Sequence, residues 1–326
     1  MSELELTLAC WDYDRTRPLI DGRVKPDGIK LNVEVLRPRQ IFPRMLEHRE
    51  FDVSELSLAS YVSLKGEGHC PFVAIPVALS KVFRHDCIYV RPDAGIKTPR
   101  DLKGKRVGAM QYASTGVVYV RGFLQHDYDV HARDMDWFIG GLEAPAPAAA
   151  LPSGLPGDIN VQLLAATKTL SGMLAAGELD ALISLYIPEA FAAGAPHIVR
   201  LFQNPKEVAK AYYGRTGIFP IMHTVVIRED VHAEHPWVAK SLFQAFCKAR
   251  DLAVEGLYDT DALHLSLPFL IDHVEETWRV FGKDFWAYGL APNRPALAAI
   301  GDYVFEQGLS PRPVVPDELF VAGVES

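Results

Sequence analysis

His85 and His223 are the side chains best suited to move a proton near neutral pH, because imidazole titrates there unaided. Each stands in an apolar setting, FRHDCIYV around His85 and GIFPIMHTVV around His223. Arg84 adjoins the first histidine, and a guanidinium can grip a carboxylate with two parallel hydrogen bonds. Neighbouring residues of an extended chain point to opposite faces, so Arg84 and His85 need not face the same space. By residue type alone the pair reads equally well as a surface arginine and a capped histidine. A lone histidine ending the run GIFPIM is by itself more often a satisfied core residue than a catalyst.

Four polar turns offer binding chemistry. In WDYDRTRP, Thr16 or Asp14 fits the N-cap before Pro18, which leaves Arg15 as the ligand contact. In SELS, Ser54, Glu55 and Ser57 precede a helix, where an ordinary cap and a carboxylate cradle look alike. Tyr112, Ser114 and Thr115 open another helix, whose unbonded N–H groups and dipole favour an anion. Arg121, two turns into that helix, reads as a surface residue. Tyr186 in LYIPE could hydrogen-bond a phenol or be a half-buried structural tyrosine. His232 and His235 in HAEH read as a solvated helix start, and no H-E-x-x-H is present, so no metal is expected. Nor is there a G-x-G-x-x-G, a G-x-x-x-x-G-K-[ST] or a G-x-S-x-G, which removes motif support for dinucleotide, nucleotide or acyl-enzyme chemistry.

Elements must hold these turns in place. Leu4, Leu6 and Leu8 alternate, as do Ile29, Leu31, Val33 and Val35, the period of strands. Helix RPRQIFPRMLEH, strand FDVSEL, helix SLASYVSLKGEG, and strands VAIPVAL, CIYV and RVGAM follow, with a corner at Gly104. Helix TGVVYVRGFLQ, strand DMDWFIGG, a short helix, a turn at Gly177 and strand LDALISLY extend the alternation. The Ala/Pro/Gly-rich stretch 143–158 reads as an ordered surface excursion. One further strand, IFPIMHTVVIRED, precedes mostly helical sequence to Leu309. Such alternation implies a mainly parallel α/β architecture, with ligands at the carboxyl ends of strands.

A chain of 326 residues suits about two domains at ~150 residues each, and 49% apolar content supplies their cores. With Lys+Arg 33 against Asp+Glu 41, the net charge of -8 argues against nucleic-acid or anionic-membrane partners. Glu3 and Glu5 stand where a secretory signal needs Lys or Arg, and no apolar run reaches membrane length. The four scattered cysteines suit reduced thiols, so a cytoplasmic location is expected.

Segments DLKGKRVGAM and LAAGELDALISL resemble the second lobe of type-II periplasmic solute-binding proteins. That resemblance implies an α/β fold of two lobes joined by two crossing strands as a hinge, with ligand held between them. The crossing strands would be residues 83–90 and 218–226, giving a discontinuous first lobe of 1–88 plus 220–326 and a second lobe of 89–219. YDRTRPL, FDVSELSLASY, FRHDCIYV, YASTGVVYVRGFL, GIFPIMHTVVIR, HPWVA and EQGLSPR together resemble the 4,5-dihydroxyphthalate decarboxylase family over nearly the whole chain. Tyr119 and Gly116 stand where the family pattern leads one to expect Trp and Ala.

The resemblance implies cofactor-independent decarboxylation of a small aromatic dicarboxylate, 4,5-dihydroxyphthalate, to 3,4-dihydroxybenzoate and CO2. It places His85 and His223 in proton transfer. Arg15, Arg84 and the turns at Ser54, Ser57, Ser114 and Thr115 would anchor carboxylates, with Tyr112 and Tyr186 as further substrate contacts. A homo-oligomer is compatible with this reading. The fold alone fits two other functions, a binding protein for a small carboxylate and a different small-molecule enzyme.

Overall fold

The computed structural model describes residues 3–146, 151, 152 and 154–325. Four strands come first: β1 (Leu4–Cys10), β2 (Ile29–Val35), β3 (Val53–Ser57) and β4 (Phe72–Lys81). The chain then builds β5 (Ile88–Val90), β6 (Arg106–Ala109), β7 (Asp136–Ile139), β8 (Val161–Leu163), β9 (Ala181–Ile183) and β10 (Val199–Arg200), and closes its strand set with β11 (Ile221–Arg228). These form two mixed sheets, ordered β2-β1-β3-β11-β4 and β10-β5-β9-β6-β7-β8.

Each sheet is parallel along one side, as the β-helix-β alternation dictates, and antiparallel along the other. In the first, β1 pairs parallel with β2 and β3; in the second, β6 pairs parallel with β7 and β9, and β7 with β8. The exceptions are where the chain changes sheets. It leaves the first sheet after Lys81, passes a 3-10 turn at His85–Cys87, and enters the second as β5, antiparallel to β9. It returns through Gly217–Pro220 into β11, which lies antiparallel between β3 and β4. The expectation of mainly parallel sheets therefore holds for one side of each sheet and fails on the other, where the strands next to the crossings run antiparallel.

Short-range signals placed most elements well. The helix at Leu58–Glu67 starts from Ser57, whose hydroxyl accepts the Ser60 N–H at 3.4 Å, and stops at Gly68 with φ of 82°. Three elements carry too little pattern to be read: β8 and β10 have three and two residues, and the helix Pro205–Thr216 buries only Ala209 and Tyr212. His235 lies just before helix Trp237–Glu255, as expected, while His232 belongs to a separate short helix, Glu229–Glu234. Of the 143–158 excursion, residues 147–150 and 153 lie outside the described residues. Among the described residues, no helix is long and apolar enough to cross a membrane.

One apolar core runs through both sheets, joining Leu8, Val53 and Ile75 of the first to Val107 and Trp137 of the second. Arg121 is buried within it, against the surface position expected from sequence. Its Nε donates to Gln307 at 2.7 Å, one terminal nitrogen donates to the Tyr112 carbonyl at 2.7 Å, and its plane covers the Tyr112 ring at 3.7 Å. Burial drives its pKa down, and these contacts replace part of the lost hydration. The side chain thus pins the turn that opens helix Thr115–Tyr128 to helix Leu290–Glu306.

Candidate active site

The register of β3 against β11 creates the most unusual contact in the molecule. His223 lies opposite Ser57, and Val225 opposite Glu55, so Glu55, Ser57 and His223 project from one face of the sheet. Glu55 is fully buried. Its Oε1 accepts His223 Nδ1–H at 2.6 Å and the Tyr13 hydroxyl at 2.7 Å, while Oε2 accepts the Trp11 amide at 2.9 Å. Burial raises the carboxyl pKa, but the hydrogen bonds and the facing imidazole outweigh it and hold Glu55 below its ordinary value. A carboxylate fixed in this way orients the ring and leaves Nε2, which has no protein partner among the described residues, to give or take a proton. Phe42 closes one side of the ring, edge-on at 5.0 Å.

The turn after β1 supplies the neighbouring cation. Thr16 is not a side-chain cap; its hydroxyl donates to the Trp11 carbonyl at 2.7 Å and accepts the Tyr13 amide at 2.8 Å, which locks the turn. That lock directs Tyr13 at Glu55 and brings Arg15 beside Tyr13. The Arg15 guanidinium lies 4.1 Å from the Tyr13 ring centre and 4.4 Å from that of Trp286. Its Nε donates to the Leu79 carbonyl at 2.6 Å and Nη1 to Asp14 at 2.9 Å, so Nη2 is the arm without a protein partner. Stacking between two rings and an ion pair to Asp14 hold the fork in place.

On the other side of His223, Ser57 meets Thr115 hydroxyl to hydroxyl at 2.9 Å, and Thr115 also accepts the Ala59 amide at 3.1 Å. This contact ties the β3 turn to the first residue of helix Thr115–Tyr128. Ser114 is the N-cap without a capping side-chain bond, which leaves first-turn amides pointing out of the helix. Arg84 reaches the same turn: its Nε is buried without a partner and lies 3.2 Å from where a Cβ on Gly116 would stand. A run of neighbours thus leads from Arg15 through Tyr13, Glu55, His223, Ser57 and Thr115 to Gly116, beside which Arg84 lies.

Several expected site residues stand elsewhere. His85 is 2% exposed, stacked on Phe123 at 4.4 Å with Phe202 and Tyr212 around it. Neither ring nitrogen has a partner, and burial lowers its pKa to about 4. It shares no contact with His223 or Glu55, and a ring neutral at pH 7 is poorly placed to serve as their acid. Ser54 is fully buried on the opposite face from Glu55, its hydroxyl donating to the Glu55 carbonyl at 2.7 Å, so it cannot touch a ligand. Tyr112 is a buried platform for Arg121 with an unpartnered hydroxyl. Tyr186 is 51% exposed on a turn fastened by Ser184. Sequence reasoning passed over Glu55 and Tyr13 as site residues, although a carboxylate inside a fully buried strand was a usable signal. No group of three or more metal-ligating side chains occurs among the described residues.

No family model matches the chain. A 4,5-dihydroxyphthalate decarboxylase of Comamonas testosteroni is 39% identical over 320 residues, covering 98% of this chain and 97% of that protein. The chain belongs to the 4,5-dihydroxyphthalate decarboxylase family. A second member, from Pseudomonas putida, is 41% identical over 213 residues, 65% of this chain and 83% of that protein. Among solved structures, a putative periplasmic sulfonate-binding protein SsuA of Methylobacillus flagellatus KT superposes with a TM-score of 0.56 at 12% identity, covering 100% of this chain and 94% of that one. The fold is accordingly the α/β type-II periplasmic-binding-protein-like fold.

The two positions where the resemblance led to the expectation of other residues now have locations. Tyr119 is buried away from Glu55 and His223, donating to the Ala296 carbonyl at 2.9 Å and accepting the Ile221 amide at 3.4 Å, so it secures the start of β11. Gly116 lies within the site: a Cβ there would stand 2.5 Å from Leu185 and 3.2 Å from Arg84 Nε. An alanine there would require Leu185 and Arg84 to shift, so the glycine leaves room for the arginine's seat.

Proposed function

We propose that this chain decarboxylates 4,5-dihydroxyphthalate in the cytoplasm, releasing CO2 and 3,4-dihydroxybenzoate. The observation that carries the reading is the buried Glu55 carboxylate clamped to His223, with the cation of Arg15 beside it. In this reading the lobes are residues 1–88 with 220–326 and residues 89–219, and substrate enters between them. Arg15 Nη2 takes one carboxylate; Arg84 and the first-turn amides at Ser114 and Thr115 take the other. Ser57 acts through Thr115 by holding that turn in place.

The hydroxyl para to the departing carboxylate pushes electron density onto the ring carbon that bears it. His223, charged and paired with Glu55, transfers its Nε2 proton to that carbon. The bond to the carboxylate then breaks, its electron pair returns to the ring, and CO2 leaves. One proton is consumed per turnover and is replaced from solvent at His223. The substrate's ring is the electron sink, so the reading calls for no cofactor. The imidazole–carboxylate pair also separates this reading from a solute-binding protein, whose task would need only the cations and amides.

Purified protein should release CO2 from 4,5-dihydroxyphthalate and yield 3,4-dihydroxybenzoate, while phthalate, which lacks the electron-donating hydroxyls, should give none. Tight binding of the dicarboxylate without product would support a binding protein instead. Recovery of the protein in the periplasmic fraction would contradict the cytoplasmic placement.

A further inference from the structure

A cavity of about 310 Å³ lies where the segment joining β4 to β5 meets helices Pro205–Thr216 and Leu270–Phe281. It shares no lining residue with the run from Arg15 to Arg84. Its apolar wall comes from Phe83, Val280 and Phe281, with the two rings 6.1 Å apart and Phe83 stacked on Phe219 behind at 4.8 Å. Two of its polar residues are left incomplete. His85 lines the cavity with both ring nitrogens buried and unpartnered, and Arg200 Nε is in the same state. A buried polar group without a partner costs free energy, and a side chain in a cavity wall that carries one gains by turning it toward a ligand.

The charges at the wall select the ligand's sign. Lys206 and Lys210 are both engaged by Glu276. Arg200 packs against the faces of Phe191 at 5.0 Å and Tyr89 at 6.0 Å, and no carboxylate pairs with it among the described residues. Asp86 also lines the cavity and would oppose a second anionic group. We propose that this cavity is a second binding site, for a small aromatic monocarboxylate of the benzoate class. Its ring lies against Phe83 and Phe281, and its carboxylate meets Arg200, with a ring N–H of His85 completing the oxygen's coordination. The size suits a single-ring ligand, and the site does not rest on the decarboxylase reading. Its place on the segment that joins the two sheets means that an occupant would brace one of the chain's crossings.

Benzoate titrated into the full chain, followed by NMR of ring-labelled histidines, tests this. The His85 signals should shift saturably in the wild type and equally in His223→Gln. Arg200→Gln should weaken that response by about tenfold or more, and Ala209→Phe, which fills the cavity from its helix wall, should abolish it. Should Ala209→Phe fail to fold, as circular dichroism would show, Arg200→Gln decides alone. A benzoate response confined to His223, no response at either histidine, or a His85 shift unchanged by Arg200→Gln would overturn the proposal.

Discussion

The ring of His223 meets a buried carboxylate at 2.6 Å; the ring of His85 meets Phe123 at 4.4 Å and has no hydrogen-bond partner. Both residues belong to the segments by which the chain changes sheets, and both adjoin aromatic side chains. The difference arises from what the fold brings across from elsewhere. His223 sits in register with β3, which delivers Glu55 from 168 positions away, and the locked turn after β1 adds Tyr13 and Arg15. His85 sits in a 3-10 turn, outside any ladder, and is enclosed by rings from helices Thr115–Tyr128 and Pro205–Thr216 and from Phe202. A histidine becomes an acid-base catalyst through its partner, and only one of these two has one.

Removing the partner should have the largest effect. Glu55→Gln keeps the shape but removes the carboxylate that accepts the His223 Nδ1–H and orients the ring, and kcat on 4,5-dihydroxyphthalate should fall by roughly two to four orders of magnitude. A change of less than about threefold would detach the carboxylate from the chemistry. Arg15→Lys should raise KM about tenfold with a smaller change in kcat, because an ammonium lacks the guanidinium's planar fork and its stacking on Tyr13 and Trp286. Steady-state kinetics that leave KM untouched would place Arg15 outside the substrate's reach. Tyr13→Phe removes one of three hydrogen bonds to Glu55 and should cost only about 1 kcal/mol, a fivefold effect on kcat.

The His85 side of the comparison predicts stability rather than turnover. Its folded-state pKa is lowered from 6.5 to about 4 by burial, so between those values the unfolded chain binds the extra proton. Stability should therefore decline as pH falls from about 6.5 to 4, and the decline attributable to this ring should vanish in His85→Phe. Denaturant unfolding at several pH values would show it; equal pH slopes in the two proteins would mean that His85 is not held neutral.

Much of this was legible in the sequence because it is local. The alternation in LELTLAC and IKLNVEV, the Gly68 stop and the Gly104 corner depend on a few neighbouring residues, and the turns bearing Arg15, Ser57 and Thr115 follow from them. The Glu55–His223 bond depends on which strand β11 enters beside, and its register, which no local pattern encodes. The setting of His85 is illegible for the same reason: its surroundings come from residues 123, 202 and 212. An arginine's exposure is the norm, which is why Arg121 reads as a surface residue, whereas here Gln307 and the Tyr112 carbonyl take two nitrogens of a buried fork.

The most direct test is to measure turnover of 4,5-dihydroxyphthalate by His223→Gln and His85→Gln side by side, with circular dichroism confirming that both are folded. His223→Gln should lose roughly two to four orders of magnitude in kcat, while His85→Gln should stay within about tenfold of the wild type. Equal losses in the two variants, or a greater loss at His85, would contradict the assignment of proton transfer to the histidine that Glu55 holds.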